Sequence, residues 1–464
     1  MKKLYILLLA CLALASCEFD DDINVNPNKP SEASGGQLLA NAMLSLPGLS
    51  SSPQGEFMAQ YLSETQFPGG SLYPEGATSF YGLYTGPLMN LEEVINAEDL
   101  DGSEGPIQNQ KAVAKILKAY YFWNITDRWG DVPYTEALKG EANFTPVYDT
   151  QESIYNNLFA LLKEADAQIV AGDISRDYDI VYAGDMGKWK RLGNTIRLLM
   201  ALRLSKVNPT KGQDEFNQAL AAGIMASNND NLVFKHLELE VNENYWYSQV
   251  GRQQRLWWAL SETLVNTMKP TEDPRLPVFA DPNEEGEYVG LPFGKLEGGV
   301  PGDYAMLGED IWRQDAPVYL VTYAQALFAK AEAAKLGWIA GGDAEAKTNY
   351  EEAIRQSIQQ WTGSTAGVAD FLAKPEVAYD PARGLEQIAT QRYLHLFMHG
   401  YEAWAEWRRT GYPSNLIMPG GKAIPLRLMY PANEAANNTQ NYRNALQSLG
   451  GTDGLYSKVW WDKD

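Results

Sequence analysis

Apolar positions recur at helical spacing through most of the chain, and the longest stripe lies near its carboxyl end. Leu385, Ala389, Tyr393, Leu396, Phe397, Gly400, Trp404 and Trp407 share one face over about six turns, which predicts a single helix at 385–409. Arg408 and Arg409 occupy its last turn, where cations suit the carboxyl end of the helix dipole, and Gly411 and Pro413 supply the stop. Val113, Ile116, Leu117, Tyr120 and Tyr121 predict a helix at 103–128. A second follows, opened by Asp149 and Glu152 at capping-box spacing and carrying Ile154, Leu158, Leu161, Leu162, Ala165 and Ile169. Further pairs are predicted at 185–207 with 214–226, at 317–336 with 344–361, and at 385–409 with 432–449.

The second helices share a small signature: Phe216-x-x-Ala219-Leu220, Tyr350-x-x-Ala353-Ile354 and Tyr442-x-x-Ala445-Leu446. An aromatic residue followed one turn later by a small one lets paired helices approach closely, as in tetratricopeptide-like pairs. The irregular spacing makes this a degenerate array and not a tandem repeat. Residues 67–76, 242–258 and 269–316 break the helical period with Gly, Pro and aromatic residues. Long irregular segments of this kind usually carry function.

Composition sharpens the picture. The 464 residues are 45% hydrophobic and 11% aromatic, ample for a buried core. The 13 Trp and 26 Tyr exceed what packing requires and point to an interface or ligand surface. The net charge of −21 argues against nucleic acid, whose binding needs a basic footprint.

Lys2, Lys3, the apolar run from Leu4 to Leu14 and Leu14-Ala15-Ser16-Cys17 form a secretory signal, residues 1–16, with cleavage before Cys17. The run is too short to span a bilayer. Cys17 then carries acyl chains, and several chains on one residue anchor a protein stably. Cys11 leaves with the signal, so neither a disulfide nor a free thiol nucleophile is expected. The acidic run Glu18-Phe19-Asp20-Asp21-Asp22 looks like an export signal to the outer leaflet of a Gram-negative outer membrane. Residues 17–36 read as a lipidated tether, and 37–464 as one helical domain with loop-rich insertions near 60–80 and 240–316.

Enzyme chemistry finds little support. Carboxylates are abundant, yet no motif singles out a glycosidase pair. His395 and His399 stand at i and i+4 as in a zinc helix, but Leu396 occupies the place of the general base. The loop at 298–302 lacks the Lys and the following helix of a phosphate loop. No catalytic residue, metal or cofactor is expected. Glu332, Glu386, Glu402, Arg408 and Arg409 are read as partners of one another inside the helical pairs.

Several words of the sequence together resemble the SusD/RagB family of outer-membrane lipoproteins, in particular its second SusD-like subgroup. They include Asn26-Pro27-Asn28, the run from Asp127 to Tyr134 (DRWGDVPY), and Trp189-Lys190-Arg191-Leu192-Gly193-Asn194 leading to Leu202-Arg203-Leu204. Asp273-Pro274-Arg275-Leu276, Glu332-Ala333 and Gly400-Tyr401-Glu402-Ala403-Trp404 follow in order. Trp407-Arg408-Arg409-Thr410-Gly411-Tyr412-Pro413, the run from Ile424 to Pro431 and Lys458-Val459-Trp460-Trp461-Asp462 complete the series. The resemblance implies a mainly α fold, an irregular α-α superhelix of four tetratricopeptide-like helix pairs under a loop-rich ligand face. It also implies a non-enzymatic lid on a SusC-like, TonB-dependent transporter, capturing an oligosaccharide or, in some members, a peptide.

For a sugar ligand the residues to expect are aromatic planes with amide and guanidinium neighbours. Asn244, Tyr245, Trp246, Tyr247 and Arg252 have this mixture, as do Tyr304, Trp312 and Arg313. Phe67, Tyr73 and Tyr81 join them from the early loop.

Overall fold

Ser34 accepts a hydrogen bond from the Gln37 amide and the Gln37 side chain returns one, a reciprocal cap that opens α1, Gly35–Leu44. The computed structural model describes residues 33–295 and 297–463, so the signal, Cys17 and most of the tether lie outside it. Gly35 and Gly36 are already buried inside α1, and the Gly36 amide donates to Glu104 at 2.7 Å. The folded body therefore begins two residues before the boundary expected from composition.

Short helices α2, Pro53–Met58, and α3, Met89–Asn96, lead into the first long pair, α4, Ile107–Trp129, and α5, Gln151–Gln168. The second pair is α6, Met186–Arg203, with α7, Pro209–Ala222. The third is α8, Tyr323–Lys335, with α9, Gly342–Thr362. Then come α10, Gly384–His395, α11, Gly400–Thr410, and α12, Thr439–Ser448. The mainly α expectation holds, with four local corrections.

Thr150, not Asp149, caps α5, because the Asp149 carboxylate is held by the Tyr134 and Thr135 amides at 3.0 and 2.9 Å. Helix α7 starts at Pro209 behind an Asn208 cap, five residues before the predicted start. Residues Val318–Val321 are a strand paired with Leu232–Phe234, so α8 opens at Tyr323 behind a Thr322 capping box. The stripe at 385–409 is two helices, α10 and α11; they touch each other, but α10 packs chiefly on α8 and α11 chiefly on α2. Helix α12 instead lies against the strand Tyr148–Asp149.

The break between α10 and α11 has a steric cause. Met398 adopts φ +64, and Gly400 comes so close to α2 that a Cβ on it would stand 2.2 Å from the Gly55 carbonyl carbon. The Gly400 amide, at the start of α11, donates to Glu56 at 3.1 Å.

The words that carried the family resemblance meet in the core as an ion network. Arg203, fully buried, pairs with Asp127 at 3.0 Å, Glu402 at 2.7 Å and Glu406. Arg409 forks onto Glu332 and reaches Glu406 at 2.6 Å, which Arg392 also contacts at 3.0 Å. The Arg408 guanidinium sits 3.7 Å from the Trp404 ring centroid and 4.7 Å from that of Trp461. The expected intramolecular pairing of Glu332, Glu402 and Arg409 is thus present. Arg408 is held instead by aromatic rings and by the Asp127 and Leu426 carbonyls, and the half-buried Glu386 takes no part in the network.

The segments that resist helical reading contain a small antiparallel sheet. Its strands are β1, Leu62–Glu64, β2, Trp258–Leu260, β3, Ala280–Asp281, and β4, Met306–Leu307, in the spatial order β1-β2-β4-β3. Glu64 faces Trp258 across the first pair and Ala259 faces Met306 across the second. Three loops distant in sequence are thereby gathered at one edge of the helical body.

Candidate functional site

Pairing of β1 with β2 continues one residue outward, where the Thr65 amide donates to the Trp257 carbonyl at 2.7 Å. The Thr65 carbonyl in turn accepts from the Gly299 amide at 3.0 Å. Loops 65–72, 244–257 and 298–313 meet on this seam. Phe67, 54% exposed, stands edge-on to Trp257 with ring centroids 4.9 Å apart. Arg255 covers Trp257 at 4.5 Å. At the end of β1 Glu64 is buried, with its carboxylate beside Gly70, and burial pushes its carboxyl up to about 7.

Tyr247 and Trp312 form a second aromatic unit, near-parallel at 24° with centroids 6.5 Å apart. Gly251 makes it possible, because a Cβ there would stand 2.6 Å from Tyr247 and 3.3 Å from Trp312. Residues Tyr247–Arg252 form one wide helical turn with π-type hydrogen bonding, a geometry common at functional sites. A cavity of about 410 Å³ opens next to this unit, lined by Asp310 and Arg313 together with Tyr319 and Trp361. Arg313 is held by Asp315 at 2.6 Å and Asp310 at 3.3 Å.

The sequence-predicted residues divide into three groups. Phe67 and Arg313 are exposed on the gathered loops, and Tyr245, Tyr247, Tyr304 and Trp312 are half-buried among them. Arg252 is also at the surface but is taken by Glu240 and Glu243. Asn244, Trp246 and Tyr73 are buried rather than surface residues, although Asn244 and Trp246 line the cavity beside the seam. Asn244, 2% exposed, spends its side chain on the Ala316 carbonyl and the Trp246 amide, at 2.9 and 2.8 Å. Trp246 packs edge-on to Trp258 at 5.3 Å and backs the cavity wall. Tyr73 is 1% exposed and accepts from Gln60 at 2.9 Å in the core. Tyr81 lies elsewhere, in a separate, mostly apolar cavity where its hydroxyl bonds Glu434.

Sequence reasoning passed over four residues of this face as members of one site: Glu64, Arg255, Tyr319 and Trp361. Glu64 and Trp361 lie in segments of regular structure, so no loop signal singled them out.

The two histidines are structural. His395 sits between Thr322 at 2.6 Å and Ser357 at 3.0 Å, and His399 contacts the Tyr120 hydroxyl at 3.3 Å. They belong to different elements, and burial together with neighbouring arginines holds both pKa values down at about 3. Among the described residues no group of three or more His, Cys, Asp or Glu is placed to hold a metal ion. Nor is any helix among them long and apolar enough to cross a membrane.

The sequence profile of a family described as starch-binding, associating with the outer membrane (SusD-like_2), matches residues 27–431. Nothing among the curated proteins matches the chain. Among solved structures, a chitin-binding protein is 30% identical over 93% of this chain and 100% of its own, with a TM-score of 0.82. A SusD homolog from Bacteroides fragilis is 27% identical, again over 93% and 100%, at a TM-score of 0.80. A chitin-binding SusD homolog from Flavobacterium johnsoniae shares the fold at 24% identity over 93% and 98%, with a TM-score of 0.77.

Proposed function

The chain belongs to the SusD-like family of starch-binding proteins that associate with the outer membrane, and on that premise we propose that it captures oligosaccharides at the gathered loops. The observation that supports this most directly is the pair of aromatic units, Phe67–Trp257 and Tyr247–Trp312, on one loop seam beside a partly polar cavity. Pyranose rings present C–H faces that lie flat on aromatic rings, while Arg313 and Asp310 at the cavity offer donors and acceptors to hydroxyl groups. The chitin-binding relative directs the substrate class toward β-linked N-acetylated amino sugars.

The protein is anchored by lipid at Cys17, faces the cell exterior and serves as the lid of a SusC-like, TonB-dependent transporter. It breaks no bond. The tether keeps the lid at high effective concentration over the barrel, and binding followed by closure delivers the ligand.

A titration panel tests the reading. Chito-oligosaccharides, malto-oligosaccharides and mixed peptides are added to purified protein while tryptophan fluorescence is followed, and the incubated sugars are analysed for cleavage. A saturable change with a glycan and no cleavage products is expected. Silence across the glycans with saturation by peptides would move the ligand class to peptides, and release of product would overturn the non-enzymatic role.

A further inference from the structure

Arg128, in the last turn of α4, is 5% exposed and lines a cavity of about 410 Å³ that shares no lining residue with the one beside Trp361. Its Nη2 donates to the Leu49 carbonyl at 2.5 Å and to Asn124 at 3.2 Å, both neutral acceptors. The guanidinium lies 3.9 Å from the ring centroid of Tyr401. Its Nε has no acceptor, and no described residue accepts from Nη1.

Of the other buried arginines, Arg408 is likewise held by aromatic rings and backbone carbonyls, and the rest are treated differently. Arg197, Arg203, Arg275, Arg392, Arg409 and Arg427 each have a carboxylate within ion-pair distance. The charges of Asp127 and Glu402 bear on Arg128, but both carboxylates are engaged by Arg203 at 3.0 and 2.7 Å. A buried cation without a counter-ion is costly, and an anion entering from solvent would relieve that cost.

The remaining polar groups of the cavity suit such a guest. Gln54 uses its carbonyl oxygen to accept from the Tyr401 hydroxyl at 2.9 Å, which leaves its amide N–H groups as donors. Ser52 also lines the cavity, where its hydroxyl is hydrogen-bonded to that of Tyr401. No Asp or Glu lines this cavity, although the chain carries 59 of them against 38 basic residues. Arg128 and Gln54 thus present donors to one solvent-open cavity with no competing carboxylate among its described lining residues.

We propose that this cavity is a binding site for an oxyanion, the carboxylate or sulfate group of an acidic sugar. The donors form charge-assisted hydrogen bonds to its oxygens. The site is separate from the aromatic seam and stands whether or not that seam binds neutral glycans.

Isothermal titration calorimetry on the full chain at constant ionic strength tests it, with glucuronate, glucose and sodium sulfate as probes. Glucuronate is expected to saturate one site and glucose to give no saturable heat. Gln54→Glu keeps the acceptor for Tyr401 and places a carboxylate beside Arg128. It is expected to weaken glucuronate by about tenfold or more, with a melting temperature no lower than that of the unsubstituted protein. Sulfate binding without glucuronate would keep the oxyanion site and overturn the sugar as its source. No saturable heat from either anion at millimolar concentration, or full affinity in a folded Gln54→Glu variant, would overturn the site itself.

Discussion

Arginine, tryptophan and carboxylate residues appear in two places in this molecule and do opposite things. Around Arg203 and Arg409 they are fully desolvated, and the cations share Asp127, Glu332, Glu402 and Glu406 while Arg408 stacks on Trp404 and Trp461. On the loop seam the same residue types stay half in water: Arg255 over Trp257, Arg313 between two surface aspartates, Trp312 beside Tyr247. In the core network the charges are matched inside the protein, because removing one partner strands a buried charge. On the seam solvent screens the pairs, so the side chains contribute little to folding and remain free to exchange water for a ligand. The identity of the residues does not separate scaffold from face; their hydration does.

The largest test of that division is Trp404→Ala. Trp404 is fully buried and donates to the Pro425 carbonyl at 2.7 Å, so a loss of about 3–5 kcal/mol is expected in chemical denaturation. An equally stable variant that had lost ligand binding would erase the distinction drawn here.

The second test asks whether the join between α2 and α11 is charged. Glu56 is fully buried, and desolvation pushes its carboxyl from 4.5 up to about 8. The native state therefore keeps a proton that the unfolded chain has already lost, so stability is greatest at low pH and falls as pH rises from 4.5 through about 8. His395 and His399 act in the opposite sense, but only below their unfolded value of 6.5. Between pH 6.5 and about 8, stability should drop by about 1.4 kcal/mol per unit on account of Glu56. Glu56→Gln should remove that part of the slope. Denaturation midpoints across the window check it, and an unchanged slope in the variant would show that Glu56 is ionised in the native protein.

The finest test lies on the seam. Trp312→Ala is expected to weaken glycan binding by about 2 kcal/mol, roughly thirtyfold. Phe67→Ala should cost about 1 kcal/mol of affinity. Both variants should unfold within about 0.5–1 kcal/mol of the parent. A large stability loss in either would place these rings with the scaffold.

The helical body was legible in the sequence because amphipathic stripes and the family words report burial, and burial governs that part of the molecule. The stripe at 385–409 misled because Leu396 and Phe397 keep helical spacing through the break. The only local sign was Gly400, and the cause, the backbone of Gly55, is hundreds of residues away. The sheet was illegible for a related reason: strands of two or three residues carry almost no period, and their pairing joins segments distant in the chain. The loop aromatics were found by composition, yet Tyr73, Asn244 and Trp246 turned inward, and composition carries no direction. Glu64 lay next to the expected loop but gave no sign, since its place opposite Trp258 follows from strand pairing alone.

That sheet has a consequence for how such a protein can change. Its register holds the two ends of the connection from Asp281 to Met306 on adjacent strands, with Asp281 opposite Met306. Residues can be inserted into or deleted from that connection while its anchor points stay fixed, at a closure cost that grows only slowly with length. The reach and shape of the loop face can therefore be redrawn at its exposed stretches, while Leu291 and Phe293 stay buried as fixed points of the connection.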